Sequence, residues 1–142
     1  MSWFRQTIFL LPLALLGCTT SPDSSAVEAG DAPPVALVQE NCQKADAIIQ
    51  GKVVAVQDGQ NGYSSALLKV AQAYRGPFHS GDTVRYYSFR SEKYDPSTLG
   101  KPFIVFLSTR KEEEQTSWGT ATDLAEFPDN PATEKLFRQT LK

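Results

Sequence analysis

Between residues 35 and 142 the pattern of apolar and polar positions changes period several times, and each change marks a predicted element. Apolar residues at helical spacing first predict a short helix, whose apolar face consists of Val35, Val38, Cys42 and Ala45. Alternating or continuous apolar runs then predict strands over 47–57, 63–76, 83–90 and 101–109, with a short fifth strand over 116–122.

A second helix is predicted at the C-terminus. Asn130 suits the N-cap and Pro131 suits the first helical position. The apolar stripe that follows consists of Ala132, Leu136, Phe137 and Leu141.

Short strands flanked by two helices predict a mainly β fold, a small antiparallel OB-like barrel over residues 35–142. Gly51, inside the first strand, predicts a bend or bulge. In the second strand the alternation predicts one shared face for Ala66, Leu68, Val70 and Tyr74. The polar run at 110–115 is expected to be exposed, with residues 112–114 as a solvated loop.

Residues 1–17 have the pattern of a secretory signal peptide. Arg5 and the amino terminus supply positive charge, and residues 7–16 are apolar except for Thr7. The apolar run is too short to span a bilayer, which needs about 20 residues. The chain is therefore expected to leave the cytoplasm.

Leu15, Leu16, Gly17 and Cys18 follow this apolar run, and the four residues resemble the lipobox of bacterial lipoproteins. The resemblance implies cleavage between Gly17 and Cys18, a diacylglycerol on the Cys18 thiol and an acyl chain on its new amino group. Three fatty chains would hold the protein to a membrane with a free energy on the order of tens of kcal/mol. In that family, Thr19 in place of Asp favours the outer membrane, facing the periplasm, over the inner membrane.

Residues 18–34 are expected to form a flexible tether between the lipid and the domain. They are rich in Ser, Thr, Pro, Asp and Ala, and they carry acids but no bases. A chain of this length reaches roughly 25 Å. The net charge of the whole chain is −2, which does not favour nucleic acid as a partner.

Three stretches of the domain carry a recurring pattern: KADAIIQGKVVAV (44–56), LLKVAQAYRGPFHSGDTVRYYS (67–88) and LGKPFIVFLS (99–108). They resemble the bacterial branch of the netrin-like domains, which share an OB-type barrel with the tissue inhibitors of metalloproteinases. The resemblance implies that barrel fold and covers about residues 42–108.

The chain departs from the netrin-like pattern at its cysteines. These domains usually join the segment before the first strand to a later strand through a disulfide, but no cysteine follows Cys42. The inhibitors chelate a protease zinc through a free amino-terminal cysteine, whereas Cys18 would be acylated. Metalloprotease inhibition is therefore not expected. Cys42 is interpreted either as a small buried apolar residue or as the link of a disulfide-bonded dimer.

The sequence supplies no recognisable catalytic set. His79, the single histidine, lies in a turn and is interpreted as a surface residue, since a zinc site would need further nitrogen or sulfur ligands. Nucleophile-elbow, phosphate-loop and zinc-protease motifs are missing from the sequence. No metal, cofactor or enzymatic activity is expected. Trp118 is expected to cover one end of the barrel.

The stretch RYYSFR at 85–90 places arginines on either side of three aromatic residues. OB strands that stack nucleobases combine basic and aromatic side chains in the same way. The cell envelope offers glycans rather than nucleic acid, so a sugar or a small anion is the expected ligand if this strand binds one. Arg85, Tyr87 and Arg90 are the candidate contacts. The alternative is a strand with one aromatic face in the core.

The leading functional hypothesis is an envelope lipoprotein that acts as a non-catalytic protein-binding or adaptor module. The alternative hypothesis is a binder of a glycan or small anionic ligand that uses strand 85–90.

Replacing Cys18 with serine is expected to abolish fatty-acid labelling, because the thiol is the atom that accepts the diacylglycerol. The variant should be recovered as a soluble or unprocessed protein. Metabolic labelling with palmitate, followed by cell fractionation, measures both effects. Labelling that survives the substitution would show that the lipobox assignment is wrong.

Overall fold

The computed structural model describes residues 31–59, 63–88, 96–112 and 115–142, and the signal segment 1–17 with most of the tether lies outside these ranges. The described elements are α1 (Val35–Lys44), β1 (Ala47–Asp58), β2 (Ser64–Arg75), β3 (Thr83–Ser88), a 3-10 turn (Pro96–Thr98), β4 (Pro102–Glu112), β5 (Gln115–Thr120), β6 (Glu126–Pro128) and α2 (Pro131–Thr140). None of the described helices is long and apolar enough to cross a bilayer.

Five strands close into a barrel in the order β1-β2-β3-β5-β4, and β1 pairs again with β4. The pairings are antiparallel except for β3–β5, which run parallel and join at Tyr87 and Gly119. β6 pairs with the first residues of β4 outside this ring. With one short helix at each end, the structure confirms the predicted mainly β, OB-like barrel.

The barrel interior is filled by alternate residues of the strands, as the two-residue period of a strand requires. Its buried members include Ile49 and Val53 of β1, Leu68 and Val70 of β2, Val84 and Tyr86 of β3, and Val105 and Leu107 of β4. Trp118 and Phe78 pack edge to face against this core, with ring centroids 5.0 Å apart.

The β1–β2 pairing has three register breaks, one of them between Gln50 and Gly51. An irregularity therefore lies at Gly51 as predicted, but the extra residue there is Ala71 of β2, and the extra residue of β1 is Val54. At Gly51 the strands approach so closely that a side-chain carbon would overlap the backbone oxygen of Lys69. The breaks allow these two twelve-residue strands to bend around the barrel.

The prediction that Tyr74 shares a face with Ala66, Leu68 and Val70 is wrong for Tyr74. The other three are buried in the barrel interior. A register break between Val70 and Gln72 changes the face of β2, so that Ala73 packs on the interior core and Tyr74 packs outside it. The Tyr74 ring meets Phe137 of α2 edge to face at 4.8 Å.

A second core lies between the helices and the outer surface of β1 and β4. Ile48, Ile104 and Phe106 pack there against Val38 of α1 and Phe137 of α2. Both faces of β4 are therefore buried, which explains why its sequence is almost continuously apolar. Asn130 caps α2 as predicted, since its side chain accepts a hydrogen bond from the Thr133 backbone N–H at 2.9 Å.

Three of the four residues predicted for the apolar face of α1 pack against the second core: Val38 and Ala45 are buried, and Cys42 is half-buried. The prediction is wrong for Val35 and missed Asn41. Val35 is 51% exposed, whereas Asn41 is completely buried.

The Asn41 amide donates to the backbone oxygens of Leu37 and Leu124, and it accepts from Thr122 Oγ1. A polar side chain can occupy this core position because its hydrogen bonds are satisfied.

Of the residues predicted as a loop at 112–114, Glu112 is the last residue of β4, and 113–114 lie outside the described ranges. Since β5 begins at Gln115, most of the polar run at 110–115 belongs to a hairpin whose Arg110 and Lys111 are exposed. The three-residue strand β6 was not predicted, because so short a segment has no measurable period. The predicted third strand extended to residue 90, and residues 89–95 lie outside the described ranges.

Gly51→Ala is expected to lower the free energy of unfolding by about 3 kcal/mol, because the new methyl group has no space against Lys69. Urea denaturation followed by tryptophan fluorescence measures the change. Gly81→Ala is the control: Gly81 has a φ of +95° and open space around it, so only the backbone conformation is strained, at about 1 kcal/mol. A smaller loss of unfolding free energy in Gly51→Ala than in Gly81→Ala would contradict the close approach of Gly51 to the Lys69 backbone.

Candidate functional site

The outer surface of β1, β2 and β3 carries an exposed patch of polar and basic side chains. We name it the open face, and it consists of the outward residues Lys52, Ala55, Gln57, Ser65, Leu67, Lys69, Thr83, Arg85 and Tyr87. Ser65 is buried and Leu67 is half-buried, while the other seven are exposed. The helices cover another part of the barrel surface, over the first half of β1 and over β4. Two of the three contact residues predicted from the sequence, Arg85 and Tyr87, lie on the open face.

Strand β3 directs its side chains alternately inward and outward. Val84, Tyr86 and Ser88 are buried, whereas Arg85 and Tyr87 are exposed. The structure thus brings two of the three predicted contact residues onto one face and places an aromatic residue of the same stretch in the core. The third predicted contact, Arg90, lies outside the described residues.

The strand register arranges the open face in three rows. The rows are Lys52–Lys69–Thr83, Ala55–Leu67–Arg85 and Gln57–Ser65–Tyr87. A register break between Val53 and Ala55 leaves Val54 as an additional residue that is 50% exposed.

A shallow depression of about 250 Å³ lies in the two rows nearest Tyr87. It is lined by Ala55, Val56, Gln57, Ser65, Leu67 and Arg85. Arg85 Nη1 donates to Gln57 Oε1 at 3.5 Å, a long hydrogen bond that a ligand could replace at small cost. A guanidinium, an amide and a hydroxyl around an apolar floor can receive a carboxylate or the hydroxyls of a polar ligand.

Glu126 is a buried acid that the sequence analysis missed. Its carboxylate accepts hydrogen bonds from Tyr86 Oη at 2.6 Å and Ser88 Oγ at 2.9 Å, and these bonds tie β6 to β3. The local signal for burial was the position of this acid between Ala125 and Phe127, both of which are buried. Because each of its carboxylate oxygens already accepts a hydrogen bond from a hydroxyl group, we assign Glu126 a structural role.

Arg75 and Gly76, at the end of β2, maintain the barrel geometry. Arg75 Nη1 donates to the backbone oxygens of Cys42 and Ala45, at 2.7 and 3.1 Å, and so caps the end of α1. Gly76 has a φ of +99°, and a side chain there would approach Ala47 Cβ at 2.5 Å. These residues stabilise the fold and do not form a ligand site.

Asp46 performs a similar structural task at the start of β1. Its Oδ2 accepts hydrogen bonds from the backbone N–H of Thr109 at 2.7 Å and from Thr109 Oγ1 at 2.9 Å. The backbone hydrogen bond, followed by the hydroxyl one, lowers the pKa of Asp46 below its ordinary value.

Cys42 is half-buried against the second core and is a free thiol. Burial raises its pKa above the ordinary value, although the nearby Arg75 charge opposes this effect. A thiol with a raised pKa has little thiolate at neutral pH and is a weak nucleophile. This environment agrees with the small apolar interpretation, and the disulfide-linked dimer stays a prediction.

His79 lies in the exposed turn where the sequence places it. Its ring nitrogen Nδ1 is 3.8 Å from Asp82 Oδ2, and its backbone N–H donates to the same oxygen at 2.8 Å. Within the described ranges, no three His, Cys, Asp or Glu side chains are close enough together to hold a metal ion.

Comparisons with known proteins give no independent identification: no protein-family model matches the chain, and no curated protein matches it significantly.

Asp46→Asn is expected to lower the free energy of unfolding at pH 7 by up to about 1 kcal/mol, a value reduced by the solvent exposure of the carboxylate. Because the folded-state pKa of Asp46 is lowered, its stabilisation is present above the ordinary aspartate pKa and is lost as pH falls through the folded value. Urea denaturation of both proteins between pH 7 and pH 2 should therefore show a difference that disappears in acid.

The control for this measurement is Asp123→Asn, which removes the same charge from an exposed position. It should leave the stability at pH 7 nearly unchanged. An equal loss in both variants would mean that net charge, and not the bonds to Thr109, stabilises the protein.

Proposed function

We propose that this chain is a non-catalytic binding module of the cell envelope, whose ligand lies on the open face. A lipid on Cys18 would hold it to the outer membrane, on the periplasmic side, and residues 18–34 would connect the lipid to the barrel. The observation that carries the proposal is the exposed group of Tyr87, Arg85 and Gln57 beside the 250 Å³ depression.

The side chains of this group do not contribute to the core. Tyr86 supplies the buried ring of β3, while Tyr87 is 41% exposed and Arg85 lies on the same outer side. An exposed aromatic residue next to a guanidinium offers a stacking surface and a hydrogen-bond donor together. In other OB barrels the outward face of the second and third strands binds oligonucleotides and oligosaccharides, a fold-level analogy that agrees with this position.

The groups on the open face are suited to binding rather than to acid–base chemistry. Its polar members are lysine, arginine, tyrosine, glutamine, serine and threonine, none of which has an ordinary pKa near neutrality. His79 is engaged with Asp82 in its turn. The Glu126 carboxylate is engaged with Tyr86 and Ser88.

The shape and composition of the open face favour a glycan or another polar ligand over a protein. The depression is shallow and small, which suits a sugar-sized group. Stable protein interfaces bury about 800 Å² on each partner, and their centres are depleted in lysine. Lys52 and Lys69 both belong to the open face.

A protein partner is the second candidate function. Two large apolar side chains near the open face favour it, since Val54 is 50% exposed and Tyr63, just before β2, is 52% exposed. Exposed apolar and aromatic residues of this kind are common anchors in protein interfaces.

The double variant Arg85→Ala, Tyr87→Ala is expected to reduce retention of the full-length protein on purified peptidoglycan by about tenfold or more, because it removes a charged hydrogen bond and a stacking ring. Pull-down followed by quantitative blotting measures the retention, and circular dichroism checks the fold. The matched control is Lys135→Ala, Arg138→Ala on α2, which changes exposed bases away from β1–β3 and should retain binding.

Two outcomes would contradict the leading proposal. Loss of co-purified envelope proteins with unchanged peptidoglycan retention would favour the protein-binding candidate. Unchanged behaviour in both assays would remove the open face from consideration as a binding site.

A further inference from the structure

Two lysines of the open face lie directly opposite each other. Lys52 on β1 and Lys69 on β2 are register partners, and both side chains are exposed. The neighbouring pair, Val53 and Leu68, is buried in the barrel interior. Since successive side chains alternate, the two ammonium groups lie on the same outer surface.

This arrangement is unfavourable for the isolated fold, because like charges directly opposite on adjacent strands are destabilising. Arg85, in the next row of the open face, adds a third positive charge. None of the nine open-face residues is an acid. Asp58, at the end of β1, instead lies 3.5 Å from the Ser64 hydroxyl.

Two exposed bases on the helices lie beside acids of their own helix. Lys44 Nζ lies 2.6 Å from Glu40 Oε1 on α1, and Arg138 lies 3.8 Å from Glu134 on α2. Among the described ion pairs none includes Lys52, Lys69 or Arg85. A local electrostatic conflict without structural compensation is typical of a binding site.

We propose that Lys52 and Lys69, together with Arg85, bind the anionic groups of an acidic glycan. The inference rests on the proposed function and deepens it by assigning the ligand a chemical class. The lysine ammonium groups act as point charges toward carboxylate or phosphate, and Arg85 can bind such a group with two parallel hydrogen bonds. Tyr87 provides a ring surface for a sugar.

The dimensions of the open face fit several sugars in a row. Its three rows are separated by about 7 Å along the strands, so that the distance from the lysine pair to Tyr87 is about 14 Å. A ligand that places anionic groups at the lysine pair and a sugar ring on Tyr87 must therefore be an oligosaccharide rather than a single sugar.

Nucleic acids and acidic proteins are less suitable ligands for the open face than an acidic glycan. A nucleic-acid partner is normally accompanied by a strongly basic domain, and the net charge of this chain is −2. An acidic protein would place two lysines at the centre of an interface, where lysine is depleted.

The test measures the affinity of the full-length detergent-solubilised protein for defined probes by calorimetry. The probes are oligogalacturonate, its neutral methyl ester and a phosphorylated mannan oligosaccharide. Binding to either anionic sugar with no detectable binding to the ester supports the inference, and the two anionic arms show whether carboxylate or phosphate is preferred. Equal binding of the ester and the acid would overturn it.

Lys52→Glu is expected to weaken binding of the preferred anionic sugar at least tenfold, because it replaces an attractive charge with a repulsive one. The same substitution places a carboxylate opposite Lys69 and should raise the melting temperature by about 2–5 °C. A loss of affinity together with a gain in stability cannot result from unfolding. Lys135→Glu on α2 makes the same charge change elsewhere, and its affinity should stay within about twofold of the original protein.

The remaining outcomes are also decisive. Unchanged affinity in Lys52→Glu would overturn the role of the lysine pair, and equal binding of polyglutamate or single-stranded DNA would overturn the assignment to glycans. If Lys52→Glu retains peptidoglycan while the Arg85→Ala, Tyr87→Ala variant loses it, the proposed function stands and this inference fails.

Discussion

The structure depends on the pairing of β1 along both of its edges. β1 pairs with β2 along nearly its whole length and with β4 over its first half, so the strand that closes the barrel must also bend. Three register breaks and the close backbone approach at Gly51 make the bend possible. Both cores require this closure, because Ile49 faces the barrel interior while Ile48 faces the helices.

One part of the outer surface of the barrel packs against the helices, and another part, the open face, is available to a ligand. The first halves of β1 and β4 are covered by α1 and α2, and the hydrogen bonds of Arg75 and Asp46 hold the ends of α1 and β1 in place. Most outward side chains of the second half of β1, of β2 and of β3 are exposed to solvent. Residues that serve the fold are therefore separate from residues available to a ligand.

The open face is also where the chain departs from what stability alone would favour. Tyr87 is an exposed ring, and Lys52 lies opposite Lys69 with no described acid to compensate it. Elsewhere the buried polar groups Asn41 and Glu126 have hydrogen-bond partners. A membrane-attached module with this face would bind its ligand through charge and stacking, and would need no catalytic group.

Local patterns in the chain were sufficient for the two helices, the first five strands and the class of fold, because the period of apolar residues is a local property. Alternation also placed Arg85 and Tyr87 on one side of β3. The lipid on Cys18 stays a prediction from a local motif. The face of Tyr74, the burial of Asn41 and the opposition of Lys52 and Lys69 became visible only in the folded chain. Each of these depends on a partner distant in sequence, such as Leu124, which is 83 residues from Asn41. Strand register and bulges form between segments, and no single segment encodes them.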